Sequence, residues 1–490
     1  MTAPTPTSKV RWSSLQPMLL ALLLNVSSIA MASGEPALQV EPAERRALEE
    51  PAILVQGAVP GGRVIVEASL TDRTDRTWTS RGVFYADYNG SVDPAQQASV
   101  GGTYIGIDSF GLFWSMLPFE SAELDENLNV DPITTDWPRA PVFGLDNHVE
   151  VQLSATLETS TTSLDTAAVS TTHRVLFASD AGSVRTEVSE GDLRGVLYTP
   201  RTRGSNHPVM VVTGSGGGAA EVAARALADE GFTALALAHF NYPGRPDELV
   251  NIPLEYFRDA LDFLRRKTGS EKVALMGGSR GGEAVLLIAS TYPERVSAVV
   301  SGVPANIVNS ACCSDAMTYL YAWTLGGEPL PTFGLIEGTD FESLLGVHEK
   351  YGDDLVWFYR HMLAGFLTDD PEAEYMIQVE RIAAPILLIS GDDDMLWPSS
   401  MAADAVVARL RANDYAYPYR HLKVSGAGHL ASSGERMFVT SAIGRGGLSH
   451  PLSPEIVIRM GGTPRGNFHG VREAHFEKIA FLKEHAADGK

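Results

Sequence analysis

Cysteine is almost absent from this chain of 490 residues: the only two, Cys312 and Cys313, are neighbours. Adjacent Cα atoms stand ~3.8 Å apart, whereas an ordinary disulfide wants about 5.5 Å. A disulfide framework is therefore excluded, and the pair reads as two quiet thiols in a loop, with a strained vicinal bridge or a redox role as the alternatives. Basic charge is also scarce, with 38 Lys and Arg against 60 Asp and Glu and a formal net charge of −22. That excess of carboxylates argues against nucleic acid and anionic membrane surfaces as partners. It also disfavours polyanionic ligands unless basic residues gather locally. No Cys/His cluster has metal-ligand spacing, and the glycine run "VVTGSGGGAAE" lacks the Gly-Lys-Ser/Thr ending of a phosphate loop. Neither a metal nor a cofactor is expected.

What is present is an ordinary globular composition, 44% hydrophobic and 20% charged, long enough for two or three domains. The N-terminus carries Lys9 and Arg11, an apolar stretch over 18–24 and then Ala30-Met31-Ala32, a small-x-small cleavage pattern. Residues 1–32 read as a cleaved export signal. An uncleaved anchor is the alternative, but the apolar core is shorter than the ~20 residues a span requires, so no stable membrane insertion is expected.

Over 55–157 the hydrophobic pattern has period two, as in Val64, Val66, Ala68, Leu70 and again in Val149, Val151, Leu153, Ala155, Leu157. With turn signals such as Pro60-Gly61-Gly62 and Asn89-Gly90 between runs, this predicts an all-β sandwich over 38–174. The Ser/Thr-rich stretch 159–172 is its last loop or the linker. From 175 to 490 apolar runs alternate with helical segments, which predicts a mainly parallel sheet flanked by helices, with its best strands at 209–212, 233–238, 273–276, 298–300 and 386–389. Residues 306–381 show no strand pattern; they read as a cap inserted over the sheet edge or as added scaffold.

Within "KVALMGGSRGGEAVLLIAS", the segment Gly277-Gly278-Ser279-Arg280-Gly281 fits Gly-x-Ser-x-Gly between a short strand and a helix start. In that setting the serine hydroxyl stands exposed above the sheet as a nucleophile; the plain alternative is a glycine turn. A serine hydroxyl is a poor nucleophile at neutral pH, so it needs a histidine to take its proton and a carboxylate to orient that histidine. "PILLISGDDDMLWPSS" places three aspartates on the turn leaving a buried strand, with Asp394 the candidate acid and Asp393 next. Of the 12 histidines, His429 in "HLKVSGAGHLASSG" follows the acid at the end of a strand-like run. His421 falls within that strand, and His450, His469 and His475 read as surface groups. The oxyanion hole calls for the amide of Arg280 and a second amide from "VVTGSGGGAAE", with Ser215 or Gly216 as candidates.

These motifs resemble the acyl-CoA thioesterase and bile acid-CoA:amino acid N-acyltransferase family. The resemblance runs in order through "YADYNGSVD", "GGTYIGIDSFGLFWSML", "PLEYFRDALDFL", "GGSRGGE", "GDDDMLWPSS", "GAGH" and the tail "GGTPRGNFHGVREAHFEKIAFLKEH". It implies a β-sandwich followed by an α/β-hydrolase domain, with Ser279, Asp394 and His429 as nucleophile, acid and base. It further implies that a serine nucleophile favours hydrolysis, since the amino acid transferases carry cysteine there. Arg280 keeps the basic character of the family's usual lysine, and Glu283 matches as well. The expected substrate is a small acyl thioester or ester, acyl-CoA above all. The apparent export signal points instead to an exported carboxylesterase, and a catalytically silent extracellular binding protein is a third reading. For coenzyme A the candidate cations are Arg201, Arg203, Arg245 and Arg265-Arg266-Lys267, which form either a basic cleft or a scattered surface.

Overall fold

The computed structural model describes residues 35–118, 141–177, 182–201, 207–311, 320–333, 373–434, 436, 438–440, 447–450 and 453–486, with 447–450 and 453–459 described in backbone alone. The export signal 1–32, Arg203, Cys312, Cys313 and most of the 306–381 insertion lie outside these residues.

The N-terminal region comprises β1 (Ala37–Glu41), β2 (Glu44–Arg46), β3 (Ala52–Gln56), β4 (Arg63–Thr71), β5 (Thr77–Tyr85), β6 (Gly101–Gly102), β7 (His148–Glu158) and β8 (Thr166–Leu176). Six of them form one sheet in the order β2-β8-β7-β4-β5-β6. The two alternating runs read from the sequence pair across it, Val64 opposite Leu157 and Ala68 opposite Leu153, so both line the same buried face. Among the described residues no full second sheet covers that face. The β1–β3 ribbon, the short helix Gly111–Trp114 and Phe468 and Val471 of the C-terminal helix Pro464–His485 close the core instead. Of the Ser/Thr-rich stretch, read as a last loop or linker, only 159–165 is a loop; 166–172 are strand residues of β8, where alternate side chains face solvent and can be polar.

The second sheet takes β9 (Ser183–Val188), β10 (Gly195–Pro200), β11 (Pro208–Val212), β12 (Thr233–Leu237), β14 (Val273–Gly278), β15 (Val296–Gly302), β18 (Ile386–Gly391) and β19 (Tyr419–Val424). Short strands β13 (Ile252–Pro253), β16 (Trp323–Leu325) and β17 (Glu328–Pro329) form a separate three-stranded sheet. Two of these fall in the segment that showed no strand pattern, because three residues or fewer leave no periodicity to read. A hairpin β20 (Gly447–His450) with β21 (Ser453–Arg459) completes the strands.

The eight strands run in the order β9-β10-β12-β11-β14-β15-β18-β19, antiparallel at β9, β10 and β12 and parallel from β12 onward. This crossover-rich order is that of an α/β-hydrolase. The central strands are buried throughout and mostly apolar because helices cover both faces. Each then ends in a polar or glycine turn at one edge, where the candidate residues gather. Among the described residues no helix is long and apolar enough to cross a membrane, and no group of three His, Cys, Asp or Glu is placed to hold a metal.

Candidate active site

β14 ends at Gly278 and the helix Arg280–Thr291 begins two residues later. Ser279 makes the turn at φ 57° and ψ −125°, a conformation side chains rarely adopt and one that costs about 1–3 kcal/mol. The turn is over-determined by its neighbours. Ser279 N donates to Gly302 O on β15 at 3.0 Å, and Ser279 O accepts from Glu283 N at 3.1 Å. A Cβ at Gly277 would run into the Gly281 carbonyl, and one at Gly281 would sit 2.5 Å from Val212 O. The two glycines let strand, turn and helix approach this closely.

β18 and β19 deliver the other two groups. His429 Nε2 lies 2.9 Å from Ser279 Oγ, and His429 Nδ1 lies 2.9 Å from Asp394 Oδ2 and 3.1 Å from Oδ1. With Nδ1–H facing the carboxylate, Nε2 is left to accept the serine proton. Asp394 is fixed by Leu396 N at 3.0 Å, Trp397 N at 3.2 Å and the Ser399 hydroxyl at 2.6 Å. The Trp397 ring meets His429 edge to face at 5.2 Å, and His429 N donates to Met460 O at 2.7 Å. His429 and Asp394 are buried, whereas Ser279 is only half-buried.

The three aspartates divide their work. Asp392 Oδ1 accepts from Gly426 N at 2.6 Å and Asp393 Oδ2 from Gly462 N at 3.1 Å, so both tie loops together and only Asp394 faces the histidine.

Arg280 N is the first amide of the helix that follows Ser279, the position the expected oxyanion hole calls for. In the loop after β11, which holds the candidates Ser215 and Gly216, the backbone of Gly214 lies against Ser279. A Cβ on Gly214 would lie 3.3 Å from Ser279 Cβ and 3.9 Å from its Oγ. Gly216 has nothing within 4 Å of its would-be Cβ, and its carbonyl accepts from Asn241 Nδ2 at 2.9 Å.

The Arg280 side chain belongs to a buried network that was not read from the sequence beyond the match at Glu283. Its Nη1 pairs with Glu283 Oε2 at 2.8 Å and its Nη2 donates to Ser310 O at 2.8 Å. Glu283 in turn accepts from Asn309 N and Nδ2 and from Trp323 Nε1. Burial lowers the Arg280 pKa, against the opposing pull of Glu283. His239, stacked near Trp323, is pushed down to about 3 by burial first and then by Arg245 and Arg280. His475, expected at the surface, is buried too. A sequence signal existed for His475 in its place on a helix with Val471, Ala474 and Lys478 on its buried face.

A cavity of about 520 Å³ opens beside Ser279 and His429. Three of the cations considered for a polyanion have other contacts: Arg265 pairs with Asp262 and Arg266 with Glu190, both at 2.8 Å, while Arg245 stacks on Tyr256 at 3.8 Å.

Two family models match the chain: "Acyl-CoA thioester hydrolase/BAAT N-terminal region" over residues 49–180 and "BAAT / Acyl-CoA thioester hydrolase C terminal" over 252–433. The chain is 29% identical over 434 residues to rat acyl-coenzyme A thioesterase 1, covering 86% of this chain and 93% of that protein. It is 29% identical over 377 residues to human mitochondrial acyl-coenzyme A thioesterase 2, covering 76% and 70%. Mouse bile acid-CoA:amino acid N-acyltransferase is 28% identical over 391 residues, covering 78% and 84%. With its α/β-hydrolase sheet, its N-terminal β region and both models matched in order, the chain belongs to the acyl-CoA thioester hydrolase and bile acid-CoA:amino acid N-acyltransferase family.

Proposed function

We propose that the protein is a serine hydrolase that converts acyl-CoA to free acid and coenzyme A. The observation that carries this reading is the unbroken chain Ser279 Oγ, His429 Nε2, His429 Nδ1, Asp394 Oδ2, with both links at 2.9 Å. His429 takes the Ser279 proton as Oγ attacks the thioester carbonyl, and Asp394 stabilises the imidazolium that forms. The oxyanion is received by the Arg280 amide and an amide of the 214–216 loop. Collapse expels the thiolate, which takes the proton from His429. Water, deprotonated by the same histidine, then cleaves the acyl-serine and restores Ser279.

The acyl-serine is an oxygen ester, and an acyl-cysteine would be a thioester that amines attack more readily relative to water. Wild type given an acyl-CoA and excess glycine or taurine is therefore expected to release free acid almost exclusively, read as the acid-to-amide ratio by mass spectrometry. Ser279→Cys is expected to hydrolyse more slowly and shift flux toward the amide. Mostly amide from wild type would contradict the hydrolase reading.

The paired arginines and the net charge of −22 favour a second reading, an esterase that has dropped coenzyme A. A panel of acyl-CoAs beside simple esters separates the two. We also propose that residues 1–32 direct export, which N-terminal sequencing of the mature protein would test by finding residue 33 first.

A further inference from the structure

The cavity beside Ser279 lies where a solid core is expected. Met276 sits in β14, whose Val273, Ala274 and Leu275 are buried, yet it is itself partly accessible. Ala223 and Ile479 share that state at the edge of the same core cluster, and all three line the cavity. The cause is side-chain size. The helix Leu254–Thr268 covers its face of the sheet with Phe257, Leu261 and Leu264. The helix Glu221–Asp229 instead turns Ala223 and Ala226, three residues apart and so on one face, toward the seam it forms with the C-terminal helix. The volume missing from those alanines is open space continuous with the nucleophile. The N-terminal region adds Phe177 to the wall, braced by Phe143 at 4.8 Å and Phe438 at 5.8 Å. Two polar groups on the wall have partners of their own: Lys478 Nζ donates to the Ser432 and Ser433 carbonyls, and Glu221 pairs with Arg185.

We infer that this alanine-lined seam holds the acyl chain of the substrate and that Ala223 and Ala226 set the length of chain accepted. The inference rests on the proposed Ser279 chemistry. An apolar chain entering the seam leaves water, and each buried methylene strengthens binding roughly fourfold until the space is filled. The leaving group then departs on the other side of Ser279, away from the two helices.

Alkyl fluorophosphonates read the seam without coenzyme A. Their rate of Ser279 labelling in wild type is expected to rise from butyl through octyl to dodecyl. Ala223→Phe and Ala226→Phe are expected to cut dodecyl labelling by about tenfold or more while leaving butyl labelling within about threefold, since only the longer probe needs the filled volume. Ala223→Leu, a smaller intrusion, is expected to show the same pattern more weakly, and a thermal melt of each variant checks that it has folded. Equal loss for butyl and dodecyl in folded variants, or no change for either, overturns the inference and leaves the nucleophile in place. A folded wild type that no probe labels at Ser279 overturns the nucleophile and the inference with it.

Discussion

At Ser279 a strained backbone, an accessible hydroxyl and a histidine nitrogen at 2.9 Å meet in one residue. At the acid the assignment is sharper, because three adjacent carboxylates have three different partners. Asp394→Asn is expected to lower kcat by about 10³- to 10⁴-fold, since an amide facing Nδ1 favours the wrong tautomer. Asp392→Asn and Asp393→Asn are expected to keep kcat within about tenfold and to lower the melting temperature, as each loses a loop tie worth about 1 kcal/mol. Steady-state kinetics beside thermal melts check both. A crippled Asp393→Asn with an active Asp394→Asn would shift the acid by one residue. Ser279, His429 and Asp394 could be singled out in the sequence because Ser279 and Asp394 each leave a buried strand and His429 follows them on a glycine-rich loop, in the chain order such chemistry needs. Ser399, which holds Asp394, and Asn309 and Trp323, which hold Glu283, could not. Their partners lie far off in sequence or on an unpatterned turn, and a lone Ser, Asn or Trp carries no sign of them.

The elements tell a similar story. β11, β12, β14, β15 and β18 were readable because strands buried on both faces are continuous apolar runs. β9 and β19 lie at the sheet edges with mostly exposed or half-buried residues, so their sequences, SVRTEV and YRHLKV, carry little of that signal. The N-terminal sheet was readable by its alternation, but the layer covering it was not, because Phe468 and Val471 reach it from the far end of the chain. The turn at Ser279 joins β14 to its helix with almost no tolerance for volume. Gly281→Ala is expected to destabilise the fold by about 1–3 kcal/mol and to reduce kcat, because the new methyl can be relieved only by moving the turn that aims Ser279. Denaturant melts and kinetics on one preparation test this; unchanged values for both would show that the close approach is not required.

Across the molecule, buried histidines tie stability to pH. Burial first, and then nearby cations, hold His239 at about 3 and His173 and His475 at about 4, against an ordinary value of 6.5. Above pH 6.5 these groups are neutral in both folded and unfolded chains and contribute no pH dependence. As pH falls from 6.5 toward about 4, the unfolded chain takes up protons that the folded chain refuses, so stability drops, by roughly 1.4 kcal/mol per pH unit for each histidine. His239→Asn is expected to flatten the stability curve below pH 6.5 relative to wild type, and parallel curves would contradict the assignment. The two halves also share a core. Phe110 meets Phe468 at 4.8 Å, and Phe468→Ala is expected to cost about 3–5 kcal/mol and to destabilise both regions in one transition. Calorimetry showing two separate transitions in wild type would argue against that coupling.

The central claim is that Ser279 and His429 act together on an acyl substrate, and its most direct test is the turnover of one acyl-CoA by wild type, Ser279→Ala, His429→Ala and the double variant. Each single variant is predicted to lose about 10⁴- to 10⁶-fold in kcat while remaining folded, with the double variant little worse than either. Turnover by folded Ser279→Ala within about tenfold of wild type, or losses that add in the double variant, would contradict the account.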